Sequence, residues 1–103
     1  MKIVYIAHPI SGNIQHNLAE VIKIIRHINL THADVVPLAP YYTDILALDD
    51  TVPAERKRGI ANDTHVIRTC IDELWVYGDY ENSNGCMTEI ALCQELNIPI
   101  VIH

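Results

Sequence analysis

Two acidic residues fall where helical periodicity asks for apolar ones. Over residues 83–96, Cys86, Ile90, Cys93 and Leu96 share one face at the 3.6-residue period. Glu89 projects between Cys93 and Leu96, inside that stripe, while Thr88 and Glu95 point away. In the preceding helical stretch, Ile60, Ile67 and Cys70 set the stripe, and Asp63 projects between Ile67 and Cys70. A carboxylate in a low-dielectric setting is costly unless it is paired or hydrogen-bonded. Two of them point to a catalytic pair: one attacks an electrophilic carbon or stabilises its cation, and the other exchanges a proton with the leaving group. Glycosyl chemistry needs both roles, because its transition state resembles an oxocarbenium ion. The structural alternative is that Asp63, with Asn62, caps a helix restarting after Gly59, and that Glu89 bonds loop N–H groups.

The stretch Asp72–Glu89 brings these residues to one place. It reads as a buried strand over 73–77, a Gly-rich turn, then a helix that carries Glu89. A turn from the C-terminal end of a strand into a helix is where open α/β sheets bind ligands. The first N–H groups of such a helix favour anions. Ser83-Asn84-Gly85 therefore reads as a cradle for phosphate or hydroxyl, or else as an ordinary N-cap with a flexible turn. His8 ends a strand over the same sheet edge, a ligand-facing position, although a lone histidine is more often structural. Asn17 falls at the start of the first helix, beside its apolar stripe and nearest the first loop. Cys86 is a buried thiol sooner than a nucleophile. Glu55-Arg56-Lys57-Arg58 reads as a solvated helix face, with Arg58 within reach of a phosphate.

The elements that must position these groups follow from the pattern. Lys2–His8 is a near-continuous apolar run, as in a parallel strand covered on both faces. A helix to about Leu30 follows, with Leu18, Val21, Ile22, Ile25 and Ile28 as its stripe. Residues 34–38 form a second strand, where Pro37 suits an edge. Residues 39–50 read as irregular, with at most one helical turn, and as a pocket wall or lid. Pro53 opens the next helix, Gly59 is a candidate kink, and the helix ends near Cys70. Asn97 closes the last helix, and residues 98–102 form a fully apolar fourth strand. The pattern predicts an α/β domain: a small open parallel sheet of about four strands with helices on both faces, Rossmann- or flavodoxin-like.

Composition excludes several classes. At 103 residues the chain reads as one domain spanning 1–103. A formal net charge of −6 argues against a nucleic acid polymer as partner, and leaves a nucleoside- or nucleotide-sized molecule open. No run approaches a membrane span. Three cysteines without a CxxC pair or a signal peptide predict reduced thiols in the cytoplasm. The six histidines have no metal-site spacing, so no metal is expected. No GxGxxG, GxxxxGK[ST] or GxSxG motif is present, and no cofactor is expected.

The order and spacing of several segments resemble a known superfamily. These are residues 5–12 (Tyr-Ile-Ala-His-Pro-Ile-Ser-Gly), Asn17, Arg58-Gly59, residues 70–78 (Cys-Ile-Asp-Glu-Leu-Trp-Val-Tyr-Gly) and residues 83–90 (Ser-Asn-Gly-Cys-Met-Thr-Glu-Ile). The superfamily is the nucleoside 2-deoxyribosyltransferase-like one, in a branch of small, often phage-borne domains. The resemblance implies that Glu89 is the nucleophile on the anomeric carbon, and that Asp63 in its Asn-Asp context handles the proton of the leaving base. It implies that Ser83, six before the Glu, contacts sugar or 5′-phosphate; serine at this position tilts toward a nucleotide. It also implies a homodimer or larger assembly whose neighbours complete the pocket. The chain departs from relatives in being short and in having His8-Pro9 where many have Gly-Pro or Ser-Pro. Combined, the two lines predict an N-glycosidase or (deoxy)ribosyltransferase, with Tyr5, His8, Ser11 and Gly12 lining the pocket and Ser83, Asn84 and Gly85 at the phosphate or sugar. The alternative is a nucleotide-binding sensor or sequestering module without turnover.

Overall fold

The computed structural model describes residues 1–103. Four parallel strands form one sheet in the order β2-β1-β3-β4: β1 (Lys2–Ala7), β2 (Val35–Leu38), β3 (Glu73–Val76) and β4 (Ile100–Ile102). The helices are α1 (Ile14–Thr31), α2 (Pro40–Ala47), α3 (Pro53–Thr69) and α4 (Asn84–Glu95). The architecture is the small flavodoxin-like α/β sheet that the sequence predicts. The chain leaves β1 toward β2 on one side, then returns past β1 to β3 on the other. The sheet therefore changes direction between β1 and β3, a topological switch point whose crevice opens at the strands' C-terminal ends.

Alternation along β1 divides the core. Val4 and Ile6 face α1, in a cluster with Ile28, Val35 and Trp75. Tyr5 and Ala7 face the other way, with Leu74 and Val76, and are covered by Tyr41, Ile67, Cys86 and Cys93 of α2, α3 and α4; Val21 of α1 joins this second cluster. All four residues Val4–Ala7 are fully buried, as a central strand with helices on both faces requires. Pro37 pairs opposite Val4 on the edge strand β2, where its missing N–H costs no ladder bond. Asn97 takes a φ of 57° and ends α4.

Several expectations are corrected. Residues 40–47, expected to be irregular, form α2: Pro40 opens it, and Tyr41 anchors it by donating from its hydroxyl to the Ile6 carbonyl at 2.5 Å. α3 runs unbroken through Gly59; α2 packs over that glycine, where an added Cβ would lie 3.7 Å from Asp44 Cβ. Its expected stripe holds at Ile67 but fails at Ile60, which is 52% exposed, and at Cys70, which is also exposed. Ile67 is the one fully covered residue of α3, and Ile22 of α1, expected in its stripe, is 45% exposed. The fourth strand is shorter than expected: Ile98 N donates to the Cys93 carbonyl and Pro99 intervenes. At the sheet edge its Val101 and Ile102 are exposed. The turn after β3 contains one 3-10 turn, Tyr80–Asn82.

Candidate active site

The crevice at the switch point is a cleft of about 360 Å³. The loop after β1 supplies His8, Pro9, Ile10 and Ser11. The start of α4 supplies Ser83, Asn84, Gly85, Cys86 and Glu89. α3 supplies Arg56, Gly59, Ile60 and Asp63, and α2 closes the wall with Tyr41, Asp44, Ile45 and Leu48. The two loops are held together at Gly78, whose φ is 73°, a left-handed conformation that glycine adopts without strain. A Cβ there would meet Pro9 Cδ at 3.0 Å and His8 Nε2 at 3.2 Å, so a side chain at this turn would push the first loop off the second.

Seven of the ten sequence-predicted site residues line this cleft: His8, Ser11, Asp63, Ser83, Asn84, Gly85 and Glu89. Tyr5 lies beneath it, fully buried, and its hydroxyl donates to Glu89 Oε2. Asn17 and Gly12 are absent from the lining. Asn17 instead braces the first loop, donating from Nδ2 to the Ile10 carbonyl at 3.0 Å. Gly12 is exposed, turns the loop at a φ of 96° and has open space about it.

The two carboxylates are placed by different means. Glu89 sits four residues beyond Gly85 on α4, and its oxygen meets Tyr5 from the central strand, not loop N–H groups. Burial pushes its pKa up to about 7; the Tyr5 hydrogen bond pulls the other way, and the charge of Asp63 adds to the rise. Asp63 lies in mid-helix on the unbroken α3, so it caps nothing. Burial, followed by the nearby charge of Asp44, pushes it up to about 7 as well. No cation pairs with either carboxylate. Arg56 lines the cleft, but its guanidinium leans to Asp50 at 3.9 Å. Arg58 donates from Nε to Asn62 Oδ1 at 3.1 Å and stays out of the lining. The arginine at the cleft is thus Arg56, one residue pair earlier than the one singled out from sequence.

Ser83 caps α4, its Oγ accepting from Cys86 N at 3.2 Å. This directs the first turn of α4 at the cleft. Burial pushes the Cys86 thiol up to about 11, partly offset by Ser83, which makes it a poor nucleophile at neutral pH. No cluster of three or more His, Cys, Asp or Glu side chains is arranged to hold a metal ion. Sequence reasoning placed residues 39–50 in the pocket wall but did not single out Asp44 or Tyr41; their signal was a short helical spacing, Tyr41, Asp44, Ile45 and Leu48, within a segment read as irregular.

A family model described as a domain of unknown function, DUF7768, matches residues 2–103. No curated protein matches the sequence. A solved 2-deoxyribosyltransferase from the psychrotolerant bacterium Bacillus psychrosaccharolyticus superposes with a TM-score of 0.74 at 18% identity, over 97% of this chain and 70% of that one. A 2-desoxiribosyltransferase from Leishmania mexicana superposes with a TM-score of 0.65 at 24% identity, over 99% of this chain and 63% of that one. The chain spans less than two thirds of the Leishmania enzyme's length. At these identities the likeness is one of fold.

Proposed function

This chain belongs to the DUF7768 family, and from that premise and the site geometry we propose that it breaks the base–sugar bond of a nucleoside, nucleotide or nucleotide-derived small molecule. The observation that carries the reading is the pairing of Glu89 and Asp63 in one cleft, without a neutralising cation, at the switch point of a deoxyribosyltransferase-like fold. Glu89 is the nucleophile. With Oε2 held by Tyr5, its other oxygen attacks the anomeric carbon. The C1′–N bond breaks, its electron pair goes to the base, and Asp63 gives its proton to that base. An acceptor, water or a second base, then loses a proton to Asp63 and displaces Glu89 from the carbon. Ser83, Asn84 and Gly85 hold the sugar or its 5′-phosphate at the start of α4. His8 and Ser11 close the opposite wall.

Assembly belongs to the same reading. α3 leaves Ile60 exposed at a second, smaller groove that also reaches Asp63, Thr88 and Glu89, and α4 leaves Met87 exposed. A second copy of the chain covers this face in a homodimer or larger assembly, and a monomer in light scattering at micromolar concentration would refute it.

The test of the chemistry is base release from mixed nucleosides and nucleotides, followed by chromatography. Release that vanishes in Glu89→Gln supports the enzyme. In Asp63→Asn, substrates with poor leaving bases should slow far more than those with activated ones, because an activated base needs little protonation. Tight binding with no release in the wild-type protein would leave a sensor or sequestering module instead.

A further inference from the structure

One cation faces the cleft. Arg56 is the only lysine or arginine that lines it, and it also lines the smaller groove between α3 and α4. Asp63, Asn84, Gly85 and Glu89 line both as well. The level of each group follows from the path of the chain. α3 runs into β3 and α4 runs out of it, so both helices begin at the C-terminal edge of the parallel sheet. Arg56 is the fourth residue of α3, and Asn84 and Gly85 open α4. Asp63 stands seven residues, about two turns, below Arg56 on the same side of α3, and Glu89 stands about one turn below Gly85. The space between the two helices therefore has a polarity. A guanidinium and the first N–H groups of α4 are at its mouth, and two carboxyls lie deeper in.

Arg56 is held weakly where it is. Its Nη1 lies 3.9 Å from Asp50 Oδ2, at the outer limit of an ion pair, and the two side chains are 61% and 63% exposed. An exposed pair of that kind contributes little to stability. A cation in the first turn of a helix also opposes the helix dipole. The other charges of this segment are engaged elsewhere. Arg58 Nε donates to Asn62 Oδ1 at 3.1 Å, and neither Arg58 nor Lys57 lines the cleft. Glu55 Oε1 accepts from Asp49 N at 3.1 Å. Arg56 can thus exchange Asp50 for the anion of a ligand at small cost.

We propose that Arg56 leaves Asp50 to bind the 5′-phosphate of a nucleoside 5′-monophosphate, and so makes the phosphorylated ligand the preferred one. The inference deepens the glycosyl reading and rests on it for the position of the sugar at Glu89. A nucleoside 5′-monophosphate has the matching polarity, with a dianion at one end of its sugar and the anomeric carbon at the other. With that carbon at Glu89, the phosphate reaches the mouth, where Arg56 comes from α3 and the first N–H groups come from α4. A guanidinium offers two parallel N–H donors to two phosphate oxygens. Asp50, once released, keeps its exposed place in water, so the exchange buries no charge. A di- or triphosphate would bring its further charge against Asp50 and Glu55, which line the same end of the cleft. The monophosphate is the form that fits.

The test is calorimetric binding of nucleosides and their 5′-monophosphates, with inorganic phosphate as the minimal probe. In the wild-type protein a monophosphate should bind more tightly than its nucleoside. Arg56→Gln should cut that preference by roughly tenfold or more. Arg56→Lys, which keeps the charge but not the paired donors, should restore part of it. Asp50→Asn should act in the opposite direction, because it frees the guanidinium. It should raise the affinity for the monophosphate severalfold, and the gain should vanish when Arg56→Gln is added. Asp50→Asn keeps Arg56 and covers the case in which Arg56→Gln does not fold. A preference unchanged in Arg56→Gln, or a loss shared equally by nucleoside and monophosphate, overturns the assignment. So does a wild-type protein that binds no monophosphate more tightly than its nucleoside, or an Asp50→Asn protein that gains nothing. The expected pattern in a protein that releases no base upholds Arg56 and overturns the glycosyl reading; base release without the pattern does the reverse.

Discussion

The two faces of the sheet solve the same packing problem with different materials. On the α1 side, the buried cluster is Val4, Ile6, Ile28, Val35 and Trp75. Its one polar side-chain atom, Trp75 Nε1, is satisfied by Glu73 at 3.0 Å. On the α2–α4 side, the same strand presents Tyr5, and the covering helices bring Tyr41, Asp44, Asp63 and Glu89. There two carboxyl oxygens have no donor, and Tyr5, Asp63 and Glu89 are all driven toward their neutral forms, chiefly by burial. One face is built for stability. The other accepts unfavourable polar burial at the switch point of the sheet, and that burial supports the proposed site there.

The largest break in this comparison is Glu89→Gln. If the polar face exists for chemistry, turnover should fall about a thousandfold or more, as losses of a nucleophile do, with the ligand still bound. Stability should move the other way, and with a definite sign. The folded protein binds a proton at Glu89 between its ordinary value of 4.5 and about 7, where the unfolded chain has already lost it. The contribution of this group is therefore fully present below about pH 4.5 and lost as pH rises through about 7. Asp63 adds a slope of the same sign from its ordinary 3.8 to about 7. Glutamine removes the Glu89 part, so Glu89→Gln should be more stable than wild type by about 1–2 kcal/mol at alkaline pH and near parity at acid pH. Thermal unfolding at both ends of the window checks this; equal gains at both ends would assign the effect to packing.

On the opposite face, Ile28→Ala should give the reverse signature. Ile28 is 1% exposed in the α1 cluster, so truncation should cost about 2–5 kcal/mol. Urea unfolding measures the loss. The pH at which base release peaks should not move, because the Ile28 cluster contains none of the titrating groups. A shifted pH optimum in Ile28→Ala would show that the two faces are coupled and would undo the division drawn here.

The legibility of the chain follows the same division. Strand β1 was readable because a central parallel strand needs an unbroken apolar run, and Pro37 and Asn97 announced an edge and a helix end by their own backbone chemistry. Asp63 and Glu89 were readable because a charge inside a helical period stands out, even though the assumed stripe was wrong at Ile60 and Cys70. The wall over residues 39–50 was readable as a wall, but its helical form was not. Eight residues give barely two turns, too few for a period to rise above Pro40 and the two tyrosines, and this helix is stable only through contacts with Ile6 and Gly59 far along the chain. The bond from Tyr5 to Glu89 spans 84 positions, and no local pattern encodes it. What was missed is therefore the part of the site made by tertiary packing.

Tyr5→Phe is a smaller break, made across the boundary itself, since Tyr5 belongs to β1 and serves Glu89. The hydroxyl favours the ionised form of Glu89. Its loss removes a hydrogen bond to a charged group, about 1.5–3 kcal/mol, so the acid limb of the activity profile should move upward by about one to two pH units. The alkaline limb, set by Asp63, should hold. Movement of both limbs together would mean that the two carboxyls titrate as one coupled set.

The smallest effect expected is at Ser83, and it separates a structural role from a binding one. Its Oγ already accepts from Cys86 N at 3.2 Å, and a serine hydroxyl has one donor beside its acceptor positions. Capping therefore leaves the O–H free to donate into the cleft, toward a 5′-phosphate or a sugar oxygen. Ser83→Ala should lower stability by about 1 kcal/mol through the lost cap. If the O–H also meets phosphate, the advantage of a nucleoside monophosphate over its nucleoside should shrink by about fivefold or more. Calorimetric binding of both ligands to wild type and variant gives the ratio, and Ser83→Thr, which keeps the hydroxyl, should restore both quantities in part. Lower stability with an unchanged ratio would leave Ser83 as a cap alone and would move the phosphate, if one binds, to the N–H groups of Asn84 and Gly85. Those groups carry no side chain to delete, and in a cleft lined by Asp44, Asp63 and Glu89 they supply positive potential that does not depend on Arg56 leaving Asp50.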